Sequence, residues 1–395
     1  MSLEEARARL AAHVQPIART ERVGLAAALG RVVSADLAST LDVPPFSRSA
    51  MDGYAVIAAD TASASRSDPR RLRVVERLYT GLMPQVAIAP GTCAEIATGA
   101  PLPHGADAVV MVEETAAAAD DAVDIFVPAR EGQNIGKRGA DIANGDVAVR
   151  TGEVLTPSRI GALAAIGRAE VEAFAKPRVA ILSTGNEVVE PGGELAPGRI
   201  FDVNRYTLSA IVALHGGTAE PRAPAHDTLD ALTRSLDACA DADIIVFSGG
   251  SSVGDRDLIV DAVAARGEMI FHGIAVKPGK PTAFASIAGV PFFGMPGNPT
   301  SCLSNAYVLL IPFLRATARL PPDQPRTLRV PLGRRIASQA GRHQFYTVRV
   351  VDGLALPAFK GSGDITSLSR ADGYIEIPAD TSIVEEGATV TVTLF

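Results

Sequence analysis

ADIIVFSGGSSVGDRD, residues 242–257, decides the fold. Ile244, Ile245, Val246 and Phe247 form a short apolar run, rich in β-branched and aromatic side chains and bounded by turn residues. That is the pattern of a strand buried on both faces. The run ends in Gly249-Gly250, which let a backbone approach a ligand closely. Ser251 and Ser252 add hydroxyls, and Gly254 precedes a helix start, where free N–H groups and the helix dipole favour an anion.

The same rhythm continues on either side. RVAILSTG (178–185) reads as another buried strand. A helix over 206–214 stops at Gly216-Gly217, and an amphipathic helix over 227–240 carries Leu229, Leu232 and Leu236 on one face. MIFHGIAVKPG (269–279) and VPFFGMPG (290–297) read as further strands. Asn298-Pro299 caps a long apolar helix reaching Ala316. Strands alternating with helices predict a parallel, doubly wound sheet, whose ligands bind beyond the carboxyl ends of the strands. Segments 183–187, 248–257, 277–280 and 296–301 are placed at such ends.

The flanks read differently. Ser2-Leu3-Glu4-Glu5 is a capping box opening a helix to about His13, and an Ala/Leu-rich helix follows, ending at Gly30. Residues 55–142 alternate in short runs such as AVVMVEE and AVDIFVP, a small β domain. Thr156-Pro157 starts another helix. Pro321-Pro322 begins a linker, and 325–395 reads as a small β-barrel or sandwich.

Bulk properties exclude several classes. The chain has 395 residues, so two to four domains are expected at ~100–200 residues each. No apolar run approaches the ~20 residues of a membrane helix, and the charged N-terminus lacks a signal peptide's apolar middle. Cys93, Cys239 and Cys302 lie far apart, read as small apolar residues, and fit a cytoplasmic protein. The net charge of −7, with no basic stripe, argues against nucleic acid. An anion site must therefore be built locally.

Lys277-Pro278-Gly279-Lys280-Pro281 supplies it. Two lysines three apart on a proline-stiffened loop can converge on a dianion. Each is worth ~4 kcal/mol at ~4 Å and an effective dielectric of about 20, before desolvation. Asp257 is a Mg2+ ligand candidate, because phosphate and carboxylate sharing a pocket need a cation between them. Asp255 is equally a cap and Asp227 by default an N-cap. Glu187 is either a ligand contact or a solvated loop charge. Pro299, Thr300 and Ser301 sit at a second helix N-terminus.

Together these motifs resemble the molybdopterin molybdenumtransferase family, the bacterial MoeA type related to the gephyrin E domain. PPFSRSAMDGYAV (44–56), TGAPLPHGADAVV (98–110), GQNIGKRGADI (132–142), LSTGNEV (182–188), DVNRY (202–206), SGGSSVGDRD (248–257), KPGKP (277–281) and GMPGNP (294–299) carry the resemblance, in the family's order. It implies four parts: a spacer domain (14–43 plus 143–174), an inserted β domain (44–142), a molybdopterin-binding α/β domain (1–13 plus 175–320) and a C-terminal β-barrel (321–395). It also implies a homodimer with a shared active site.

The implied reaction takes adenylylated molybdopterin and molybdate, releases AMP and places molybdenum on the dithiolene sulfurs with Mg2+. By resemblance, Asp227 and Asp257 serve Mg2+ or the anhydride. Lys277, Lys280 and Ser301 bind molybdate, and Glu187 contacts the pterin or nucleotide side. Ser248, Gly249, Gly250, Ser252, Gly254 and Pro299 line the substrate. Asp52, Thr98 and Asp141 complete the site from the partner subunit, while Arg342 and Ser367 add anion contacts. Implied protein partners are the upstream adenylyltransferase and acceptor molybdoenzymes. Asn186, Ser251 and Met295 depart from the usual residues. The competing readings are an adenylyltransferase, which would lack the first 175 residues, and a non-catalytic scaffold.

Overall fold

The computed structural model describes residues 1–224, 226, 228–249 and 258–395, and the chain divides into two compact units. Unit 1 comprises Met1–Glu21, Gly30–Val32 and Ala173–Phe395; unit 2 comprises Arg22–Leu29 and Val33–Glu172.

Unit 1 is built on a six-stranded sheet. Its strands are β1 (Arg178–Ser183), β2 (Thr218–Pro221), β3 (Ile244–Ser248), β4 (Gly267–His272), β5 (Ala283–Ile287) and β6 (Val290–Met295), in the order β2-β1-β3-β6-β5-β4. The first four in that order are mutually parallel. The last two break the expected parallel pattern. β5 and β6 form an antiparallel hairpin whose turn is Ala288-Gly289, and β4 runs antiparallel to β5. A two-residue connection allows no crossover, so the sheet is mixed.

The 269–279 segment is also corrected. It splits after His272, and Val276–Lys277 joins a second sheet instead, parallel to the strand His343–Val351.

Helix Asn204–Leu214 and helix Pro299–Asn305, continued through Ala306–Leu310 and Ile311–Thr317, cover one face of the sheet. Helices Leu229–Asp237 and Leu258–Ala264 cover the other, where Leu232 and Leu236 are buried. Leu229 is exposed, contrary to the expected apolar face. Thr228 is the cap of its helix, its hydroxyl accepting from the Ala231 N–H at 3.2 Å. Asp227 lies outside the described residues.

The N-terminal helix, Leu3–Ala12, buries Leu3, Ala6 and Leu10 in the same core as Val179, Ile244 and Phe293. Its cap is half of the expected box. Ser2 accepts from the Glu5 N–H, but the Glu5 carboxylate turns to Arg9. Phe284 sits edge-on to Phe293 and Phe313 at 5.0 and 5.6 Å. Such aromatic pairs add about 0.5–1.5 kcal/mol each beyond burial.

Ala306–Leu310 is a π-helical segment just before Pro312. Pro312 has no N–H for the Val308 carbonyl four residues back. Arg7 Nε donates to that oxygen at 3.4 Å.

The C-terminal part of unit 1 is a barrel. Strands Leu354–Pro357, His343–Val351, Gly373–Ile377, Thr389–Leu394 and Thr327–Pro331 pair in that order, and a bridge from Leu332 to Ala355 joins its ends. Leu332, Val348, Ile375 and Val392 fill its interior.

Unit 2 carries another six-stranded sheet: Ala108–Met111, Gly53–Val56, Thr92–Ile96, Arg70–Leu78, Ala122–Ile125 and Thr115–Ala118. Side chains alternate between its faces. Tyr54 and Val56 join one core, and Ala55 joins the other. The Ala/Leu-rich helix expected before Gly30 is only a 3₁₀ turn, Leu25–Ala27. Residues Thr20–Gly24 ahead of it pair with Glu170–Phe174, leaving too few residues to repay helix nucleation. Helix Pro157–Ala165 starts at a Thr156 cap as expected.

Candidate functional site

The parallel strands β1, β3 and β6 end at Ser183, Ser248 and Met295. Beyond those ends opens a cavity of about 1520 Å³, entirely within unit 1. Drug-sized ligands fill ~300–1,000 Å³, so there is room for more than a mononucleotide.

Gly249 makes the strand end close-packed. It has φ +119°, and a Cβ there would lie 2.5 Å from the Thr184 carbonyl oxygen. Ser248 and Gly249 line the cavity, as do Glu187, Pro299 and Ser301. Gly250, Ser252, Gly254 and Asp257, with Ser251 and Asp255, lie outside the described residues.

The 277–280 loop is held from below. Its Lys277–Pro278 peptide is cis, and Gly279 has φ +102°. Asn305 Nδ2 and Thr282 Oγ1 both donate to the Gly279 carbonyl, at 2.9 and 2.8 Å. Asn305 and Thr282 are fully buried. A side chain at Gly279 would place its Cβ 2.2 Å from Asn305 Nδ2. The loop therefore stands on a rigid floor, and Lys277 and Lys280 both line the cavity.

The barrel supplies the facing wall. Val276 pairs with His343, and the His343 N–H donates to the Ala275 carbonyl. That register brings Arg342 to the cavity beside Lys277. The 359–365 loop is laced to the helix beginning at Pro299. The Thr300 N–H donates to the Ser362 carbonyl at 3.1 Å, Thr300 Oγ1 to the Asp364 carbonyl, and Asn298 Nδ2 to Ser362 Oγ. Asn298 thus occupies the N-cap position but does not cap with its side chain. Thr300 is spent on this joint and does not line the cavity; Ser301 does.

Ser367 requires a correction. It is fully buried and accepts from the Lys360 N–H at 3.0 Å, so it shapes the loop rather than touching a ligand. The same loop presents Lys360, which the sequence reading did not select.

Among the described residues the cavity wall therefore carries four cations, Lys277, Lys280, Arg342 and Lys360, against two carboxylates, Glu187 and Asp202. None of the four cations is ion-paired among the described residues. In a chain of net charge −7 this concentrates positive potential where an anionic substrate would dock.

Asp52, Thr98 and Asp141 belong to unit 2. Asp52 Oδ1 accepts from the Thr98 N–H at 2.7 Å. That bond holds the Asp52 carboxyl below the ordinary carboxylate value. The Asp141 N–H donates to the Val43 carbonyl. Cys93, Cys239 and Cys302 are buried and free, and burial pushes the Cys93 thiol up to about 12. No described helix is long and apolar enough to cross a membrane.

Three family models match in succession: the MoeA N-terminal region (domain I and II) over residues 1–167, a probable molybdopterin binding domain over 180–316, and the MoeA C-terminal region (domain IV) over 329–395. Molybdopterin molybdenumtransferase 2 of Mycobacterium tuberculosis is 35% identical over 398 residues, covering 97% of both chains. The chain belongs to the MoeA family. Molybdopterin molybdenumtransferase of Haemophilus influenzae is 30% identical, with 100% of this chain and 98% of that one covered. The MoeA architecture recurs in the crystal structure of the molybdopterin biosynthesis MoeA protein of Pyrococcus horikoshii. That structure is 38% identical with a TM-score of 0.86 and covers 100% of this chain and 98% of its own.

Proposed function

We propose that this chain is a molybdopterin molybdenumtransferase of molybdenum cofactor biosynthesis, which inserts molybdenum from molybdate into adenylylated molybdopterin and releases AMP. The observation that carries the reading is the four-cation wall at the strand ends of a chain related to molybdenumtransferases over its full length. The adenylyltransferase reading loses its ground, since the MoeA N-terminal region is present over residues 1–167.

Lys277, Lys280 and Arg342 hold molybdate beside Ser301 and neutralise its charge. Ser248, Gly249, Gly250, Ser252, Gly254 and Pro299 bind the phosphate-bearing part, with Glu187 on the pterin or nucleotide side. Asp227 and Asp257 serve the anhydride and Mg2+. Asp52, Thr98 and Asp141 complete the site from a second copy of the chain, in a cytoplasmic homodimer. The four-domain division remains part of the same proposal.

Mg2+ rests on the resemblance. Among the described residues no group of three His, Cys, Asp or Glu side chains is placed to hold a metal. Asp227 and Asp257 lie outside those residues.

The test is AMP release from adenylylated molybdopterin, measured with and without molybdate and Mg2+. Molybdate-dependent release is expected. Release that ignores molybdate, or none under any condition, would overturn the assignment.

A further inference from the structure

The cation wall accounts for the anionic groups of the proposed substrate but not for its rings. The same cavity also has an apolar stretch of wall. Val188, Ile200 and Phe201 line it, on a short ribbon in which Val188–Val189 pairs in parallel with Ile200–Phe201. Ile200 is 55% and Phe201 38% exposed. Single exposed apolar residues are ordinary on a protein surface. Two in succession on the wall of a cavity that also carries four cations leave apolar area open where a ligand docks.

The ribbon is held by its backbone. The Ile200 N–H donates to the Glu187 carbonyl at 2.9 Å, and the Asp202 N–H to the Val189 carbonyl at 2.8 Å. Arg205, in helix Asn204–Leu214, closes on Glu190 at 2.6 Å. Phe201 is thus fixed on both sides along the chain while its side chain stays open. Among the described residues no other aromatic ring and no guanidinium packs on it. Phe359, which also lines the cavity, differs: its ring leans on Tyr346, with centroids 5.3 Å apart. A ring with a fixed backbone and no ring partner needs little ordering when a flat ligand arrives.

We propose that Phe201 is a platform on which a flat heterocycle of the substrate stacks while the anionic groups reach the cation wall. This rests on the proposed function and adds where a ring is held. Adenylylated molybdopterin carries two flat heterocycles, the pyrimidinone of the pterin and adenine, joined through phosphates. Both present the π-face that stacking on an aromatic side chain requires. Such an amphipathic ligand matches a wall that is cationic in one part and apolar in another. Seating a ring on Phe201 removes apolar surface of both partners from water. Molybdate has no ring, so Phe201 takes no part in holding it.

Phe201→Ala removes the platform, and Phe201→Tyr keeps it. Dissociation constants are measured for metal-free molybdopterin, for AMP and for ribose 5-phosphate, which has the anion of AMP without its ring. A thermal melt, sedimentation and the molybdate titration of AMP release run alongside. Phe201→Ala is expected to weaken molybdopterin, AMP or both about five- to a hundredfold, the range of one lost stacking contact. A fall for one probe alone assigns the platform to that probe's ring; a fall for both makes it shared. Phe201→Tyr is expected to restore the affinity. Ribose 5-phosphate binding, molybdate midpoint and melting temperature are expected to stay at wild-type values. Unchanged affinity for both ring-bearing probes, or an equal fall for ribose 5-phosphate, overturns the assignment. So does a changed oligomeric state with unchanged affinities, which would give the ring to a second copy of the chain. Should Phe201→Ala fail to fold, Phe201→Leu keeps apolar bulk without a π-face and must still lose affinity. A wild-type protein that binds neither molybdopterin nor AMP overturns the proposed function, and the platform with it.

Discussion

Gly279→Ala tests whether the lysine loop is held from below. The added Cβ would stand 2.2 Å from Asn305 Nδ2 and 2.8 Å from its Cγ. Asn305 is fully buried and cannot swing into solvent. Accommodation therefore requires the loop to lift or Asn305 to give up its bonds to the Gly279 carbonyl and Thr282. Two such bonds are worth about 2 kcal/mol, and the φ of +102° adds about 1–2 kcal/mol for a side chain. A total loss of about 3–4 kcal/mol is expected by denaturant titration. If the loop instead lifts by about 1 Å, each lysine moves from ~4 to ~5 Å from its oxyanion. At an effective dielectric of about 20 that costs ~0.8 kcal/mol per lysine. Two lysines then raise the molybdate requirement on the order of tenfold. Wild-type stability together with a wild-type molybdate titration would refute the rigid-floor argument.

Lys277→Ala is expected to raise the molybdate midpoint for AMP release, and an unchanged titration would remove Lys277 from the anion site. Asp257→Ala is expected to bind adenylylated molybdopterin yet fail to release AMP; undiminished turnover would end its assigned role. Asp243 gives a pH prediction. Burial opposes its charge, but Arg19, bidentate at 2.6 Å, and the Arg178 N–H outweigh burial and hold its carboxyl below the ordinary 3.8. Its stabilisation is therefore complete above about pH 4 and is lost as pH falls through the lowered native value. Asp243→Asn is expected to destabilise by about 2 kcal/mol at pH 7, with the difference from wild type shrinking as pH falls below the ordinary 3.8, read from urea midpoints.

The parallel half of the main sheet was legible because β1, β3 and β6 are dense in Val, Ile and Phe and end in glycine-bearing turns. β5 was not. Its sequence, AFASI, is weakly apolar, and its hairpin turn uses Ala288 at φ +50° where asparagine or glycine would have signalled it. The lysine loop was legible from composition alone, but its support was not, since Asn305 and Thr282 look like ordinary helix and strand residues. Ser367 was misassigned because sequence gives no burial for a lone serine. Lys360 carried no local signal: a single lysine in FKGSG differs in nothing from a solvated one.

The burial of Leu3, Ala6 and Leu10 against residues 179 to 314 has a temporal side. Arg7 meets its carbonyl partner 301 residues later. At ~5–20 residues per second on the ribosome, the first helix waits about 15–60 s for its core to be made. Residues 33–172, which all belong to unit 2, emerge complete during that interval. A ribosome stalled after unit 2 has emerged but before residue 314 would thus release a chain with one finished unit and a greasy, unclaimed leading helix, the kind of surface that chaperones and proteases read.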